Sequence, residues 1–198
     1  MNADHAEFLD RSYGPTHRVY DLTRKYYLLG RDTALDRLAA SDWGTLVEVG
    51  SGTGRNLDLL RRRRPDARLG GVDASSVMRR HAVARLPGVS IVEGFAEDAD
   101  LTAVLGVRPD RVLFSYCLSM VRDPDRALVN ARRHLAPGGQ VWVVDFGDLG
   151  GLGPAARALR GWLRWFRVEP LAEPLLARHG ARLDFGPGRY WVLGRIAP

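Results

Sequence analysis

Short apolar runs recur along the chain, each followed by a stretch of helical spacing, and this alternation sets the expected fold. Thr45-Leu46-Val47-Glu48-Val49 ends in glycines, the pattern of a strand buried on both faces. Asn56 to Arg64 suits a helix, stopped by Pro65. Arg68 to Val72 reads as a second strand, Ser76 to Leu86 as a helix and Val89 to Val92 as a third strand. Arg111 to Ser115 gives a fourth, Ala127 to Leu135 a helix, and Gln140 to Asp145 a fifth strand entered through the turn Pro137-Gly138-Gly139. Strands separated by helices imply a parallel sheet with helices on both faces. Ala181 to Phe185 and Tyr190 to Ile196, joined by Gly186-Pro187-Gly188, suit an antiparallel hairpin at a sheet edge. Before the first strand, residues 13 to 40 read as mostly helical, with Tyr20, Arg24, Tyr27 and Leu28 at helical spacing. No repeat recurs and no interior linker divides the chain, so one α/β domain is expected.

Composition narrows this picture in one respect and complicates it in another. The 198 residues suit a single core, and 45% hydrophobic with 26% charged residues is the balance of a folded soluble domain. The uncharged apolar stretches fall short of the ~20 residues needed to span a bilayer. Met1 to Asp10 carries acids and no apolar region, so no secretory leader is expected and the cytoplasm is the expected compartment. The one cysteine, Cys117, leaves no disulfide framework, and His5, His17, His81, His134 and His179 show no metal-ligand spacing. The complication is charge: 29 Lys+Arg against 23 Asp+Glu gives +6, and Lys25 is the only lysine. Such a surplus suits nucleic acid, an anionic membrane, an acidic substrate or simply genome composition.

The chemistry concentrates after the first strand. In Glu48-Val49-Gly50-Ser51-Gly52-Thr53-Gly54 the glycines allow a sharp turn and close approach to a ligand, and a helix N-terminus follows. Asp73 ends the second strand, 19 residues beyond Gly54, where a carboxylate can accept hydrogen bonds from both hydroxyls of a ribose. A dinucleotide fingerprint would place its third glycine at position 55, where Arg55 stands. The spacing is G-x-G-x-G with Glu48 before it, which resembles the first motif of class I S-adenosylmethionine-dependent methyltransferases. Val72-Asp73-Ala74-Ser75, Glu93-Gly94-Phe95-Ala96-Glu97 and Leu135-Ala136-Pro137-Gly138-Gly139 fall in order where that superfamily has its later motifs.

The resemblance implies a Rossmann-like domain over residues 41–198, with a mostly parallel seven-stranded sheet, an antiparallel C-terminal edge hairpin, and residues 1–40 as a helical lid. It implies S-adenosyl-L-methionine as cofactor, with Gly50, Gly52 and Gly54 along its methionine part, Glu48 beneath it, and Asp73 on the ribose. Ala74 and Met78 would pack on the adenine, Ala96 and Glu97 would bound its edge, and Ser115 would lie near the sulfonium. Phe95 stands where many relatives carry an adenine-binding aspartate, which leaves that contact to Glu97, backbone groups and packing.

Residues 19 to 32, together with Phe114-Ser115-Tyr116-Cys117-Leu118-Ser119-Met120 and Val143-Val144-Asp145-Phe146-Gly147-Asp148, resemble the diacylglycerylhomoserine N-methyltransferases of bacterial betaine-lipid synthesis. The implied reaction is successive methylation of a lipid's homoserine amine to a trimethylammonium. Methyl transfer is a displacement at an activated carbon, so the protein mainly aligns an uncharged amine, and no metal is called for. Tyr20 and Tyr116 are the candidates for orienting the amine, since tyrosine faces also hold methylated ammonium, although packing is the simpler account of each. Arg24 suits a substrate carboxylate or a solvated surface, and Arg31 suits the cofactor's carboxylate. Tyr27 and Ser119 complete the expected substrate contacts. The expected partners are therefore the lipid or amine substrate and the enzyme that makes the homoserine lipid.

Pro154 to Val168 reads as an amphipathic helix, with Leu159, Trp162, Leu163 and Phe166 on one face and Arg157, Arg160, Arg164 and Arg167 on much of the other. Such a helix suits either an anionic membrane surface or a lid on the sheet. Arg61-Arg62-Arg63-Arg64 reads as a solvated helix end, where cations meet the dipole favourably. Two other functions stay open: methylation of a soluble amine or amino acid, and non-catalytic cofactor binding by a regulator or RNA-binding protein. Nucleic acid is the weakest of these, because no recognisable RNA module is present.

Overall fold

The apolar runs form the strands of one sheet in the computed structural model, which describes residues 28–165 and 172–198. In chain order the elements are α1 (Gly30–Ala40), β1 (Thr45–Val49), α2 (Arg55–Arg63), β2 (Arg68–Asp73), α3 (Ser76–Arg85), β3 (Ser90–Glu93) and α4 (Leu101–Leu105). Then come β4 (Arg111–Ser115), α5 (Pro124–His134), β5 (Gln140–Phe146), α6 (Ala155–Trp165), α7 (Ala172–Arg178), β6 (Arg182–Phe185) and β7 (Trp191–Ile196). The seven strands lie in the order β3-β2-β1-β4-β5-β7-β6. The first five are mutually parallel, and β7 runs antiparallel to both neighbours. This is the Rossmann-like α/β class expected from the alternation.

Both faces are covered, as continuous apolar strands require. In β5, Trp142, Val144 and Phe146 face one core with Leu35 and Leu38 of α1, Leu57 and Leu60 of α2, and Leu163 of α6. Val141 and Val143 face the other, with Leu101 and Val104 of α4, Leu128 of α5, and Leu175 and Leu176 of α7. The C-terminal hairpin lies at the edge, yet its second strand takes the inner place: β7 pairs with β5 from Val141↔Ile196 to Phe146↔Trp191 and leaves β6 outermost. Sequence composition explains the choice. Trp191, Val192, Leu193 and Ile196 are buried in β7, whereas β6 carries Arg182 and Asp184, charges that suit an edge.

Two helices escape the periodicity. α4 is only five residues long, made possible by Asp100, whose Oδ1 accepts from Thr102 N and Ala103 N at 3.0 Å each. α7 contains Pro174 in its first turn, where proline is tolerated although it reads as a break. α5 begins at Pro124, earlier than the expected Ala127, because Asp123 Oδ1 caps Arg126 N at 2.9 Å.

The Arg61–Arg64 run is more than a solvated helix end. Arg61 and Arg62 do pair with Asp58 on their own helix, but Arg63 reaches Asp36 of α1 at 2.7 Å. Arg64 clasps the loop leading into β1, donating to Ala39 O (3.2 Å), Ser41 O (2.9 Å) and Trp43 O (2.6 Å), with its guanidinium over the Trp43 ring. Arg64→Ala leaves those half-buried carbonyls without their donor and is expected to cost about 1–3 kcal/mol. Arg62→Ala, on an exposed i,i+4 pair, is expected to cost under about 0.5 kcal/mol. Urea unfolding of both variants checks this, and equal losses would return Arg64 to the solvated class.

In α6, Ala156 and Leu163 are buried and Leu159 packs on the same core, so these residues cover the sheet. Arg157 is exposed, while Arg160 donates to Asp148 O. The side chains of Trp162 and Arg164, and residues Phe166, Arg167 and Val168, lie outside the described residues. Among the described residues no helix is long and apolar enough to cross a membrane.

Candidate active site

The strand order reverses between β1 and β4, which opens a crevice beyond their C-terminal ends. A pocket fills it, walled by the loops after β1, β2, β3 and β4 and by the start of α1. The β1 loop is fastened first. Gly50 N and Ser51 N both donate to Val72 O, at 2.8 and 3.0 Å, which bends the chain sharply over the end of β2. Gly50 has φ of 69°, and a Cβ there would stand 2.8 Å from Cys117 Cβ. Only glycine meets both demands.

Asp73 then ties the loop to its neighbour. Its Oδ2 accepts from Gly52 N at 2.7 Å and its Oδ1 from Ser75 N at 2.9 Å. A carboxylate oxygen can accept more than one hydrogen bond, so hydroxyls of a ligand can share an acceptor with a backbone amide. Ala74 and Met78 line the pocket beside it, and Met78 is held at the first turn of α3, where its N–H donates to Ser75 Oγ. Ala96 and Glu97 form the facing rim. Glu97 Oε1 accepts from Arg122 N (3.1 Å) and Asp123 N (3.2 Å), so this carboxylate also fastens the loop that carries Met120, Val121 and Arg122 along the pocket.

Glu48 is a strongly perturbed carboxyl of the site. It is 1% exposed, Asn56 Nδ2 donates to its Oε1 at 2.7 Å, and its Oε2 has no hydrogen-bond partner among the described residues. Burial pushes its pKa up to about 8, the Asn56 bond lowers it, Asp73 raises it further and Arg31 opposes that. Arg31 itself is buried at the start of α1, lines the pocket and pairs with Asp32 at 3.1 Å.

Ser115 and Tyr116 close the far wall. Tyr116 is a non-glycine residue at φ 52°, a strained conformation of the kind that gathers at functional sites. Its N–H donates to Val144 O at 2.8 Å, its hydroxyl oxygen accepts from Gly30 N at 3.2 Å, and its ring meets Phe146 edge-on with centroids 4.9 Å apart. Burial, reinforced by Asp145, drives its phenol far above the ordinary range, so it stays protonated. Cys117 lies just past β4; burial drives its thiol up as well, and its Sγ faces Val49 O. That environment makes it an inert packing residue.

Eleven of the expected site positions therefore meet in one pocket: Arg31, Glu48, Gly50, Gly52, Asp73, Ala74, Met78, Ala96, Glu97, Ser115 and Tyr116. Two do not. Gly54 caps α2 at φ 75° with its Cα against Leu86 and Ala82, so it is a helix-packing glycine and not a pocket residue. Ser119 sits half-buried in the short 3₁₀ turn Leu118–Met120, away from the pocket lining. Tyr20, Arg24 and Tyr27 lie outside the described residues. Sequence reasoning missed Asn56, Arg55 and Arg122 in the lining. Asn56 was legible in principle, since the first turn of the helix after a glycine loop faces the ligand.

The lining suits a nucleoside carrying a cationic amino-acid tail: apolar plates for a planar base, a carboxylate for ribose hydroxyls, and buried Glu48 and Arg31 for the charged end. Comparison with known proteins gives the same kind of ligand. The family model described as "Methyltransferase domain" matches residues 20–179. The chain is 38% identical to trans-aconitate 2-methyltransferase of Azoarcus sp. (strain BH72), over 53% of this chain and 40% of that protein. It is 32% identical to dTDP-4-amino-2,3,4,6-tetradeoxy-D-glucose N,N-dimethyltransferase of Saccharopolyspora spinosa, over 67% of this chain and 55% of that protein. Among solved structures it is similar to S-adenosylmethionine-bound CalS10, an amino pentose methyltransferase from Micromonospora echinaspora. There the identity is 27% and the TM-score 0.53, over 63% of this chain and 55% of that one. The chain thus spans about half the length of these curated relatives.

Proposed function

This chain belongs to the methyltransferase domain family, and we propose that within it the chain is an S-adenosylmethionine-dependent N-methyltransferase acting on a primary amine. The amine of diacylglycerylhomoserine is the substrate that the sequence resemblance implies. The bound cofactor supplies an electrophilic methyl group on a sulfonium; everything else is alignment by the protein. Gly50, Gly52 and Asp73 hold the nucleoside, Arg31 takes the carboxylate, and Ser115 and Tyr116 face the transferring methyl.

The observation that carries the choice of nitrogen is the aromatic face of Tyr116 in the pocket wall. Tyr116 is buried, lines the pocket and is braced edge-on by Phe146, with centroids 4.9 Å apart. Such a face attracts methylated ammonium products and offers nothing comparable to a carboxylate acceptor such as trans-aconitate. A second reading, a nucleotide-linked amino sugar, is favoured by Arg55 and Arg122, which line the pocket and suit a diphosphate. Contact of the exposed Arg157 with an anionic membrane belongs to the lipid reading alone.

Methyl-labelled cofactor incubated with a homoserine glycerolipid in vesicles, a nucleotide-linked amino sugar, free amino acids and trans-aconitate separates these readings. Label is expected in an amine, foremost the lipid's. Label confined to a carboxylate ester would overturn N-methylation.

A further inference from the structure

Glu48 combines three properties that place it outside a merely structural role. Its side chain is buried beneath the cofactor pocket, one oxygen is held and the other is not, and its surroundings do not compensate a full charge. The groups facing it come from each neighbouring element: Asp73 at the end of β2, Arg31 on α1, Cys117 after β4, and the Asn56 amide on α2. Arg31 is the one cation of this set, and it is already paired with Asp32. A carboxylate buried with Asp73 close by is poorly stabilised in the empty pocket. An arriving ligand whose methionine end carries a sulfonium and an ammonium changes that balance directly.

We propose that Glu48 is a neutral acid in the empty pocket and releases its proton to solvent when the cationic end of the cofactor binds, with Asn56 as the positioning residue that holds Oε1 and leaves Oε2 for the ligand side. The proposal rests on the cofactor assignment and not on which amine is methylated. Cofactor binding is then proton-linked. With Glu48 half-protonated at about pH 8, affinity should rise roughly tenfold per pH unit between pH 6 and 7 and level off near 8.

Isothermal calorimetry at pH 6.5 in buffers of different ionisation enthalpy reads the proton count. The wild-type protein is expected to release close to one proton, about 0.9 or more, per S-adenosylmethionine bound. 5′-Methylthioadenosine, which has the nucleoside but no charged tail, should bind without release. Glu48→Gln should bind the cofactor with no release, its circular dichroism unchanged. Asn56→Ala should keep the release but move the affinity plateau to higher pH, a shift that a purely structural asparagine would not produce. Buffer-independent heats in the wild type, equal release with methylthioadenosine, undiminished release in Glu48→Gln or no cofactor binding at all would each overturn the proposal. Proton-linked binding without methylation of any amine would instead refute the proposed N-methyltransferase and leave this inference standing.

Discussion

Asp73→Ala is expected to weaken cofactor binding about 100-fold or more, since hydrogen bonds to a charged carboxylate are worth about 1.5–3 kcal/mol each and two ribose hydroxyls would lose theirs. The structure adds a second route to the same loss. The carboxylate that would meet the ribose also holds Gly52 N and Ser75 N, so its removal frees the glycine loop from the β2–α3 turn. Asp73→Asn separates the two effects. Its carbonyl oxygen can keep Ser75 N, but its NH₂ must face the Gly52 N–H, so binding is expected to fall between wild type and alanine. Calorimetry for affinity and urea unfolding of the empty protein for loop integrity complete the test. Unchanged affinity in Asp73→Ala would remove Asp73 from the ribose.

The second large effect concerns the empty protein and runs with pH. An ordinary glutamate in the unfolded chain ionises near pH 4.5, whereas folded Glu48 keeps its proton to about pH 8. Between those values the native state binds more protons than the unfolded state, so stability falls as pH rises. The contribution is complete below pH 4.5 and gone above about 8, and its span is on the order of several kcal/mol. Glu48→Gln removes the linkage. At pH 5 the two proteins should have similar stability, and at pH 8.5 the variant should be the more stable by several kcal/mol. Saturating cofactor should narrow the gap, because at this pH its cationic end meets a charged Glu48 in the wild type and a neutral amide in the variant, so it binds and stabilises the wild type more. A difference independent of pH would show that Glu48 is ionised throughout.

Particular residues show what made the site legible. The meeting of Gly50, Gly52 and Asp73 at one pocket could be read because backbone turning and a carboxylate ending the second strand recur at fixed local spacing, within one β-α-β unit. Asn56 is just as close in sequence, but its importance lies in a side-chain bond to Glu48, which spacing does not reveal. Gly54 lies apart from the pocket lining, and its glycine requirement comes from a positive φ and from Leu86 at the end of the next helix. Arg64 was masked by its neighbours, since four identical residues look alike until the loop before β1 folds back to receive one of them.

From the sequence alone came the strands, the glycine loop, its acidic partner and hence the fold class, because local periodicity and turn chemistry act over a few residues at a time. Tertiary structure decided which strand of the C-terminal hairpin lies inside, where α4 and α7 form, and that the apolar face of α6 covers the sheet. It also decided the charge logic of the pocket. A pKa depends on what surrounds a group in space: Glu48 and Asp73 are both carboxylic acids in the sequence. Only folding buries the first beside Asn56 and sets the second against the amides of Gly52 and Ser75.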